Sequence, residues 1–330
     1  MCLCGSKKIK YEVNLKMNTE STVDKTIKIS SPATIANLVC GFDILGMAIE
    51  APVDFMELTL IDEQVIRIKH EDEFGLSELA ENNVAGVALL ALMECCDKKI
   101  GFELIINKQI KPGSGLGSSA ASSAGAVVAA NHLLGNIFSK EELVRFAMNG
   151  EKLASGVKHA DNLAPCIYGG ITLVRSIFPL DIISLSSPPI YVTVVHPQIE
   201  VKTSDAREIL RKEVQLKNAI KQWGNIAGVV TGFLKNDYEL IGRSLEDVII
   251  EPVRSILIPG FDEVKNKSKE AGALGGGISG SGPSIFMLSK EKRTADEVEK
   301  LMKEIYEKIG VEFRTYVTRM NQEGVKIVTQ

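Results

Sequence analysis

The sequence has little of what several classes of binding protein require. Aromatic residues make up only 5% of the chain, with a single tryptophan, which disfavours stacking platforms for nucleic-acid bases. The 38 lysines and arginines are outnumbered by 42 aspartates and glutamates, and no basic run suits a nucleic acid. The first 25 residues lack the continuous apolar stretch of a signal peptide. The uncharged stretch 112–139 is too rich in serine and glycine to span a membrane. We therefore expect neither nucleic acid nor a membrane as a partner.

The cysteines form no regular framework. Six are present and none is spaced as C-x-x-C, which favours reduced thiols in a cytoplasmic protein, used mainly as small core residues. They are Cys2, Cys4, Cys40, Cys95, Cys96 and Cys166. The chain has 330 residues against roughly 150 for an average domain, so its length predicts about two domains.

Helical and alternating apolar patterns occur in both halves, which predicts an α+β fold. In the first half the pattern predicts strands over 55–61, 65–70, 101–108 and 169–176, and helices over 81–96, 119–134 and 140–155. Ser139 and Glu142 form a capping box at the start of the third helix. In the second half it predicts strands over 191–196, 285–288, 312–319 and 325–328, and helices over 204–213, 217–234, 237–248, 261–271 and 294–309.

A serine followed by two prolines, at 187–189, marks a domain junction. We therefore divide the chain into an N-terminal extension (1–25), a first domain (26–188) and a second domain (189–330). Two segments are predicted as irregular. Residues 31–50, with Pro32, Asn37, Gly41 and Asp43, are expected to form a loop that feeds a helix or turn, and the glycine-rich residues from 273 are expected to form a loop that enters a strand.

Glycine is distributed unusually along the chain, because several of the 28 glycines lie in two short clusters. The first cluster, KPGSGLGSSAA (111–121), lies between a predicted strand and a predicted helix. Gly113, Gly115 and Gly117 let the backbone turn its N–H groups towards a ligand at close range. The helix that follows offers unpaired N–H donors and the positive end of its dipole, and both suit a phosphate group.

Other glycine motifs fit this loop poorly. A Walker A loop requires lysine after its last glycine, where this chain has Ser118, and the dinucleotide fingerprint requires glycine at that position. No G-x-S-x-G elbow of a serine hydrolase occurs in the chain. The remaining alternative to a phosphate loop is a tight turn followed by a closely packed helix.

Four segments together resemble one family. PGSGLGSSAASSAG (112–125) looks like the phosphate loop of the GHMP kinases, and GGGISGSGPSIFML (275–288) resembles their third motif. SPATIANLVCGFDILGMAIE (31–50) and TYVTRMNQEGVKIV (315–328) are similar to the homoserine kinase branch of that family. The likeness extends from about residue 28 to residue 328. It implies a two-domain fold, with an N-terminal ATP-binding α+β domain and a C-terminal ferredoxin-like α+β domain.

The resemblance also implies where an amino-acid substrate binds. Arg207 and Arg254 match the arginines that hold the substrate carboxylate, and a guanidinium suits this role because its planar fork binds a carboxylate with two hydrogen bonds. Asp43 matches the partner of the substrate ammonium group. The other positions that match the substrate side are Asn37, His159, Asp161 and Asn162, with Thr203 placed near the transferred phosphate.

The nucleotide side follows from the same resemblance. The matching ATP-binding positions in the loop are Pro112, Gly113, Ser114, Gly115, Leu116, Gly117, Ser118 and Ser119. Asn83 and Lys108 also match such positions, although no distinctive motif surrounds these two residues. Ser119, or alternatively Ser118, and Glu151 match the side chains that hold Mg²⁺, a cation that keeps few protein ligands.

The activity implied is transfer of the γ-phosphoryl group of ATP to the hydroxyl of L-homoserine, a step towards threonine. Asp161 is either a general base or a bystander, in which case Asn162 orients the hydroxyl. Two alternatives remain open: a GHMP kinase for another alcohol, such as mevalonate, and a non-catalytic ATP-binding sensor on the same fold. The family is often dimeric, so a homodimer is also expected.

Overall fold

A computed structural model describes Tyr11, residues 25–199 and residues 203–328. Its first half forms most of a seven-stranded sheet covered by helices. The elements are β1 (Thr26–Ala36), β2 (Leu45–Ile61), β3 (Ile66–His70), α1 (Val84–Met93), β4 (Gly101–Asn107), α2 (Ser118–Leu133), α3 (Lys140–Ser155), α4 (Leu163–Tyr168), β5 (Ile171–Ile177) and β6 (Leu180–Leu185). Short 3₁₀ turns precede α1, over Ala80–Asn82, and occur in the second half over Ser255–Leu257.

The 17-residue strand β2 organises this sheet, because its two halves have different partners. Its second half lies between β1 and β4, while its first half pairs with β1 and β5. The register against β1 shifts between Pro32 and Thr34, which is where a proline is tolerated within a sheet. Residues 31–36 and 45–50 are therefore strand, and only residues 37–44 form the loop. The prediction of a loop over 31–50 was too broad, because the pairing partners lie far along the chain.

The second half forms a four-stranded antiparallel sheet of order β10-β7-β9-β8. Counted from β7, that order is 4-1-3-2 with helices in both crossovers, which is the ferredoxin-like arrangement predicted. The elements are β7 (Tyr191–Pro197), α5 (Thr203–Glu208), α6 (Leu216–Lys235), α7 (Tyr238–Ser244), α8 (Glu251–Arg254), α9 (Phe261–Glu270), β8 (Gly275–Ile278), β9 (Ile285–Ser289), α10 (Lys292–Ile309), β10 (Phe313–Arg319) and β11 (Lys326–Ile327).

The last strand returns to the first sheet, where β11 pairs with β1 through Ile29 and Ile327. The chain thus passes from the first sheet to the second between β6 and β7, and it returns to the first sheet after β10. Within the described residues, no helix combines the length and apolar character that crossing a membrane requires.

Three apolar cores hold these layers. One lies between the first sheet and α1–α4, and another lies between the second sheet and the helices α9 and α10. The third joins the two halves, because Ile35 and Met47 of the first sheet pack in the same cluster as Phe286 of the second sheet and Phe233 of α6. Leu38 of the loop between β1 and β2 and Leu116 of the loop between β4 and α2 belong to this shared core, so both loops are anchored in it.

Local signals explain some helix boundaries and miss others. α3 begins with the predicted capping box, in which Ser139 and Glu142 bond each other's backbone N–H groups. α7 ends at Ser244, earlier than the predicted residue 248, and neither α8 nor β6 was predicted. The glycine run at 275–277 is strand β8 rather than loop. Its backbone approaches so closely that a Cβ on Gly276 would lie 1.9 Å from the Phe286 carbonyl oxygen of β9.

Candidate active site

The two glycine clusters, about 160 residues apart in sequence, meet in the fold. The loop between β4 and α2 places Gly115 at φ +79°. The Ser279 hydroxyl of the second cluster donates a hydrogen bond of 2.7 Å to the Gly115 carbonyl oxygen. A Cβ on Gly115 would lie 2.5 Å from the Ser279 carbonyl oxygen and 2.6 Å from that of Gly282. Glycine is therefore required at 115 both for its conformation and for the close approach of the second loop.

The start of α2 is shaped to bind an anion. Its cap residue, Gly117, has a left-handed conformation and no side chain that could bond the first N–H groups of the helix. Those N–H groups and the positive end of the helix dipole are directed into the cleft that Gly113, Gly115 and Gly117 line. The Ser118 hydroxyl donates to the Ile110 carbonyl oxygen at 2.8 Å, which fixes the exit from β4 against the first turn of α2.

Lys108 supports the loop from within. Its ammonium group donates to the Asp54 carboxylate at 2.6 Å, to the Ser118 carbonyl oxygen at 3.1 Å and to the Ser122 hydroxyl at 2.8 Å. The side chains of Lys108 and Asp54 are 1% and 0% exposed, so this ion pair is buried. An ammonium group has three N–H donors, and all three have acceptors. Lys108 thus borders the cleft but fixes the first turn of α2, and none of its donors is left for a nucleotide.

Two oxygen-bearing side chains meet beside the phosphate loop. The Ser119 hydroxyl on α2 donates to the Glu151 carboxylate on α3 at 3.0 Å. Burial, above all, raises the pKa of Glu151, because water is excluded from its charged form. Hydroxyl and carboxylate oxygens are ligands that Mg²⁺ accepts, so this pair fits the predicted metal position. The alternative ligand, the Ser118 hydroxyl, is already bonded to Ile110.

Opposite this pair, the loop between β1 and β2 presents a carboxylate. Asp43 accepts hydrogen bonds of 2.9 and 3.1 Å from one nitrogen of Arg207, whose helix α5 belongs to the second half. Nδ1 of His159 lies 3.7 Å from the same carboxylate. Burial lowers the pKa of His159, and its Nε2 is buried without a hydrogen-bond partner. Arg207 and Asp43 thus place a cation and an anion side by side, where a charged ligand could bind either.

Arg254 stands next to Arg207. Its guanidinium donates to the Ala206 carbonyl oxygen at 2.8 Å and to the Gly280 carbonyl oxygen at 3.2 Å. The Asn37 amide donates to the same Gly280 oxygen at 2.9 Å. Burial and the charge of Arg207 lower the pKa of Arg254 to about 10, so it still carries its charge at neutral pH. Two neighbouring guanidinium groups attract an anion strongly.

Asp161 is a buried acid in the same cleft. Burial, together with the charges of Asp43 and Glu151, raises its pKa to about 7. The next residue, Asn162, immediately precedes α4 and accepts a hydrogen bond of 2.8 Å from the Thr34 hydroxyl on β1. A Cβ on Gly117 would lie 2.0 Å from that hydroxyl, so the phosphate loop ends against this pair. Asp161 thus has the affinity for protons that a general base at neutral pH requires.

Most of the residues predicted from the sequence border a single cleft of about 300 Å³. They are Asn37, Asp43, Lys108, Pro112, Gly113, Gly115, Gly117, Ser118, Ser119, Glu151, His159, Asp161, Asn162, Arg207 and Arg254. Ser114 and Leu116 belong to the loop, but their side chains are 1% exposed and turn into the protein. Thr203 begins α5, and its side chain lies outside the described part of the structure.

Asn83 does not line the cleft, because its side chain caps α1. Its oxygen accepts from the Ala85 and Gly86 N–H groups at 2.9 and 3.3 Å. Its amide nitrogen donates to the Ser77 carbonyl oxygen at 2.7 Å and lies 3.0 Å from His70 Nε2. The polar atoms of Asn83 thus cap α1 and hold the segment that precedes it. Its chain neighbour Val84 and the nearby Leu76 are the residues of this region that reach the cleft.

Among the cleft residues that were not predicted as site residues, Phe42 contacts both arginines and Gly280 contacts Arg254. The Phe42 ring has the Arg254 and Arg207 guanidinium carbons at 5.0 and 5.5 Å from its centre, a cation–π arrangement that orients both arginines. Gly280 supplies the carbonyl oxygen that Asn37 and Arg254 share. Phe42 lies within the segment 31–50 and Gly280 within the segment 275–288, both of which resemble family motifs. The signals were present, but they do not reveal which atoms face the cleft.

Comparison with known proteins assigns this architecture to a family. The family model of the GHMP kinases N-terminal domain matches residues 82–170 of the sequence, and the family model of the GHMP kinases C-terminal region matches residues 229–308. The first region contains the phosphate loop and Glu151, and the second contains Arg254 and the second glycine cluster. Both glycine clusters thus lie in matched regions.

Individual relatives agree. The chain is 44% identical over 312 residues to a homoserine kinase of Chloroherpeton thalassium, covering 90% of this chain and 98% of the relative. It is 40% identical over 302 residues to a homoserine kinase of Pyrococcus furiosus, covering 90% and 98%. A crystal structure of a homoserine kinase from Cytophaga hutchinsonii superposes with a TM-score of 0.90 at 47% identity, covering 93% of this chain and 99% of that one.

Proposed function

Since the chain belongs to the GHMP kinase family, among its homoserine kinases, we propose that this cleft transfers the γ-phosphoryl group of ATP to the side-chain hydroxyl of L-homoserine. The product is O-phospho-L-homoserine, as in the route to threonine. One observation carries the substrate assignment, namely the carboxylate of Asp43 and the guanidinium groups of Arg207 and Arg254 on one wall of the cleft.

The charges of that wall complement an amino-acid zwitterion. Asp43 offers an acceptor to the substrate ammonium group, and the two arginines offer donors to its carboxylate. Without substrate, Asp43 and Arg207 neutralise each other across the gap between the two halves. Homoserine replaces one ion pair by two, so neither charge is left unpaired when the substrate binds. An alcohol without an ammonium group, such as mevalonate, would leave Asp43 without a new partner.

The nucleotide side uses the backbone. We assign the triphosphate of ATP to the loop 112–119, where glycine conformations and the start of α2 direct N–H groups at the phosphates. Ser114 and Leu116 contribute there through the backbone. Lys108 and Asn83 act from behind, on the first turns of α2 and α1.

Mg²⁺ is assigned to Ser119 and Glu151, whose oxygens face each other across α2 and α3. When bound, the cation neutralises phosphate charge that develops during transfer. These residues supply a carboxylate and a hydroxyl and leave the remaining positions to phosphate oxygens and water.

We assign the acceptance of the hydroxyl proton to Asp161. Its pKa of about 7 lets it be ionised at neutral pH and still bind a proton well. Asn162, held by Thr34, is placed to orient the hydroxyl. His159 keeps to the substrate side beside Asp43, and Thr203 is assigned to the vicinity of the transferred phosphate. Alignment of the two substrates and stabilisation of charge by fixed N–H groups supply most of the rate enhancement in such a transfer.

The function is tested by coupled release of ADP from Mg·ATP with L-homoserine, mevalonate and galactose as separate acceptors. We expect release with L-homoserine, and we expect it to stop when EDTA removes the cation. Release with mevalonate alone would favour a different acceptor, and ATP binding without any acceptor-dependent release would favour the sensor. A folded protein that releases no ADP with homoserine would contradict the proposal.

The chain's wider organisation rests on the same resemblance. We propose domains over 26–188 and 189–330 after an extension over 1–25, with β11 lying in the first sheet. A homodimer and a cytoplasmic location are likewise proposed from the family.

A further inference from the structure

The loop that carries Asp43 is strained. Asn37, Leu38 and Val39 have φ values of +73°, +41° and +67° in succession, and Asp43 has +62°. Asparagine and aspartate tolerate left-handed backbone, but it disfavours Leu38 and above all the β-branched Val39. A run of such residues persists only where neighbouring groups hold it in place. Because this loop positions Asn37 and Asp43, whatever holds it also sets the geometry of the substrate wall.

Gln222, on α6, holds the middle of that loop. Its Nε2 donates a hydrogen bond of 2.8 Å to the Cys40 carbonyl oxygen, and its Oε1 accepts one of 3.1 Å from the Val248 N–H group. The residue is 5% exposed and lies outside the cleft. One buried amide therefore uses its donor on one segment and its acceptor on another, and the two segments are some 200 residues apart in sequence.

The second segment carries Arg254. Asp247 accepts hydrogen bonds from the N–H groups of Ile249 and Ile250 with one oxygen and from that of Glu251 with the other. These bonds fix the turn that leads into α8, where Arg254 is the last residue. Val248, whose N–H group donates to Gln222, lies inside this turn, next to Asp247. Gln222 thus joins the loop of Asp43 to the turn that places Arg254.

We propose that Gln222 is a positioning residue that fixes the Asp43 loop relative to Arg254 and thereby sets the affinity for the amino-acid substrate. The inference rests on the proposed function, because it takes Asp43 as the partner of the ammonium group and Arg254 as a partner of the carboxylate. Gln222 touches neither substrate. Its effect therefore falls on homoserine and not on ATP, whose phosphates are assigned to the loop 112–119.

The test is Gln222→Met, which keeps the length of the side chain and removes both hydrogen bonds. We expect the KM for homoserine to rise about tenfold, as for the loss of buried hydrogen-bond partners. The KM for ATP and kcat are expected to stay within about twofold, by the same reasoning. The matched control is Gln215→Met at the exposed start of the same helix, where the side chain makes no capping bond, and it should change none of these quantities.

A double-mutant cycle separates positioning from general stability. If Gln222 acts through the Asp43 loop, Gln222→Met should add less than about twofold to the homoserine KM of Asp43→Asn. Equal rises in both KM values, or full additivity with Asp43→Asn, would overturn the inference. If Asp43→Asn itself leaves the KM for homoserine unchanged, the proposed substrate wall fails instead.

Gln222→Glu provides a second variant of the same size. It keeps an acceptor for the Val248 N–H group and loses the donor to Cys40, so we expect the homoserine KM to rise here as well. Unfolding of both variants would contradict the inference, because it would make Gln222 a requirement of the fold as a whole.

Discussion

The two sides of the cleft are built by different means. The proposed nucleotide side is one contiguous loop, 112–119, in which three glycines have positive φ and the backbone is expected to contact the phosphates. The amino-acid side consists of charged side chains drawn from the β1–β2 loop, α5 and α8. A backbone site therefore leaves a compact motif in the sequence, whereas a side-chain site leaves single residues whose relation only the fold reveals.

The two sides should also respond differently to substitution. We expect changes in the loop 112–119 to act through shape and stability, because its backbone makes the proposed phosphate contacts. Changes on the amino-acid side act through charge, and should alter one substrate's binding and leave the fold intact. Asp161 is assigned to the chemical step and not to the binding of either substrate. Its substitution should therefore differ most clearly from changes on either side of the cleft.

We expect the largest effect from Asp161→Asn. The amide cannot accept the hydroxyl proton, so kcat should fall by about 100- to 10,000-fold. In the unaltered protein, kcat should rise with pH through about 7 as Asp161 ionises, and the variant should lose that dependence. Rate measurements between pH 5.5 and 8.5 decide it. A variant with full kcat and an unchanged profile would remove Asp161 from the reaction.

The same substitution should alter stability in the opposite direction. The pKa of Asp161 is raised from an ordinary 3.8 to about 7, so folding opposes its ionisation. Its contribution to stability therefore falls as pH rises from about 4 to about 7. Asp161→Asn removes this penalty, and the variant should unfold at a higher temperature than the parent at pH 8, with the difference lost near pH 4. Thermal unfolding at the two pH values checks the sign.

The nucleotide side is tested by Gly115→Ala against Gly113→Ala. Both glycines have positive φ, so each change costs about 1–2 kcal/mol of unfolding free energy. Only at 115 would the new Cβ also meet backbone, at 2.5 Å from Ser279, whereas nothing lies within 4 Å at 113. We expect Gly115→Ala to cost about 3 kcal/mol or more, as overpacking does. Equal losses in denaturant unfolding would show that the two glycine loops do not support each other.

The amino-acid side is tested by Arg254→Leu. Loss of a charge-assisted hydrogen bond should weaken homoserine binding by about 1.5–3 kcal/mol, with the KM for ATP unchanged. Exposed Arg211→Leu serves as the control for the loss of one positive charge. An unaltered homoserine KM in folded Arg254→Leu would exclude this arginine from the substrate site.

The smallest effect should come from Asn83→Ala. Loss of the α1 cap should lower the unfolding free energy by about 1 kcal/mol, comparable to Ser139→Ala at the cap of α3. The KM for ATP should stay close to that of the parent, since the Asn83 side chain does not line the cleft. A large rise in that KM would restore Asn83 as a nucleotide contact.

Much of the fold and half of the site follow from the sequence. The α+β class and the phosphate loop were predicted, and the family was confirmed by its models and relatives. Apolar periodicity and capping residues report on local structure, so both predicted ends of α3, at residues 140 and 155, agree with the structure.

What could not be predicted depends on distant partners. Strand β8 exists because its glycines fit against β9, although glycine disfavours strands. Lys108 was predicted as an ATP-binding position, and only its buried contacts with Asp54, Ser118 and Ser122 show that its donors are occupied. Nothing in the segment around Gln222 marks it, because both of its hydrogen bonds are to backbone atoms of distant residues.

The return of the chain after β10 determines when the first sheet can be completed during synthesis. Residues 320–328 bond the backbone around α4 and β1, with Asn321 accepting from Gly170, Val325 donating to Cys166 and Val328 donating to Lys28. These contacts brace the helix that starts beside Asp161 and Asn162. Residues 320–328 follow β1 by some 300 residues in sequence, so the first sheet gains its last strand only after the whole second sheet has been synthesised.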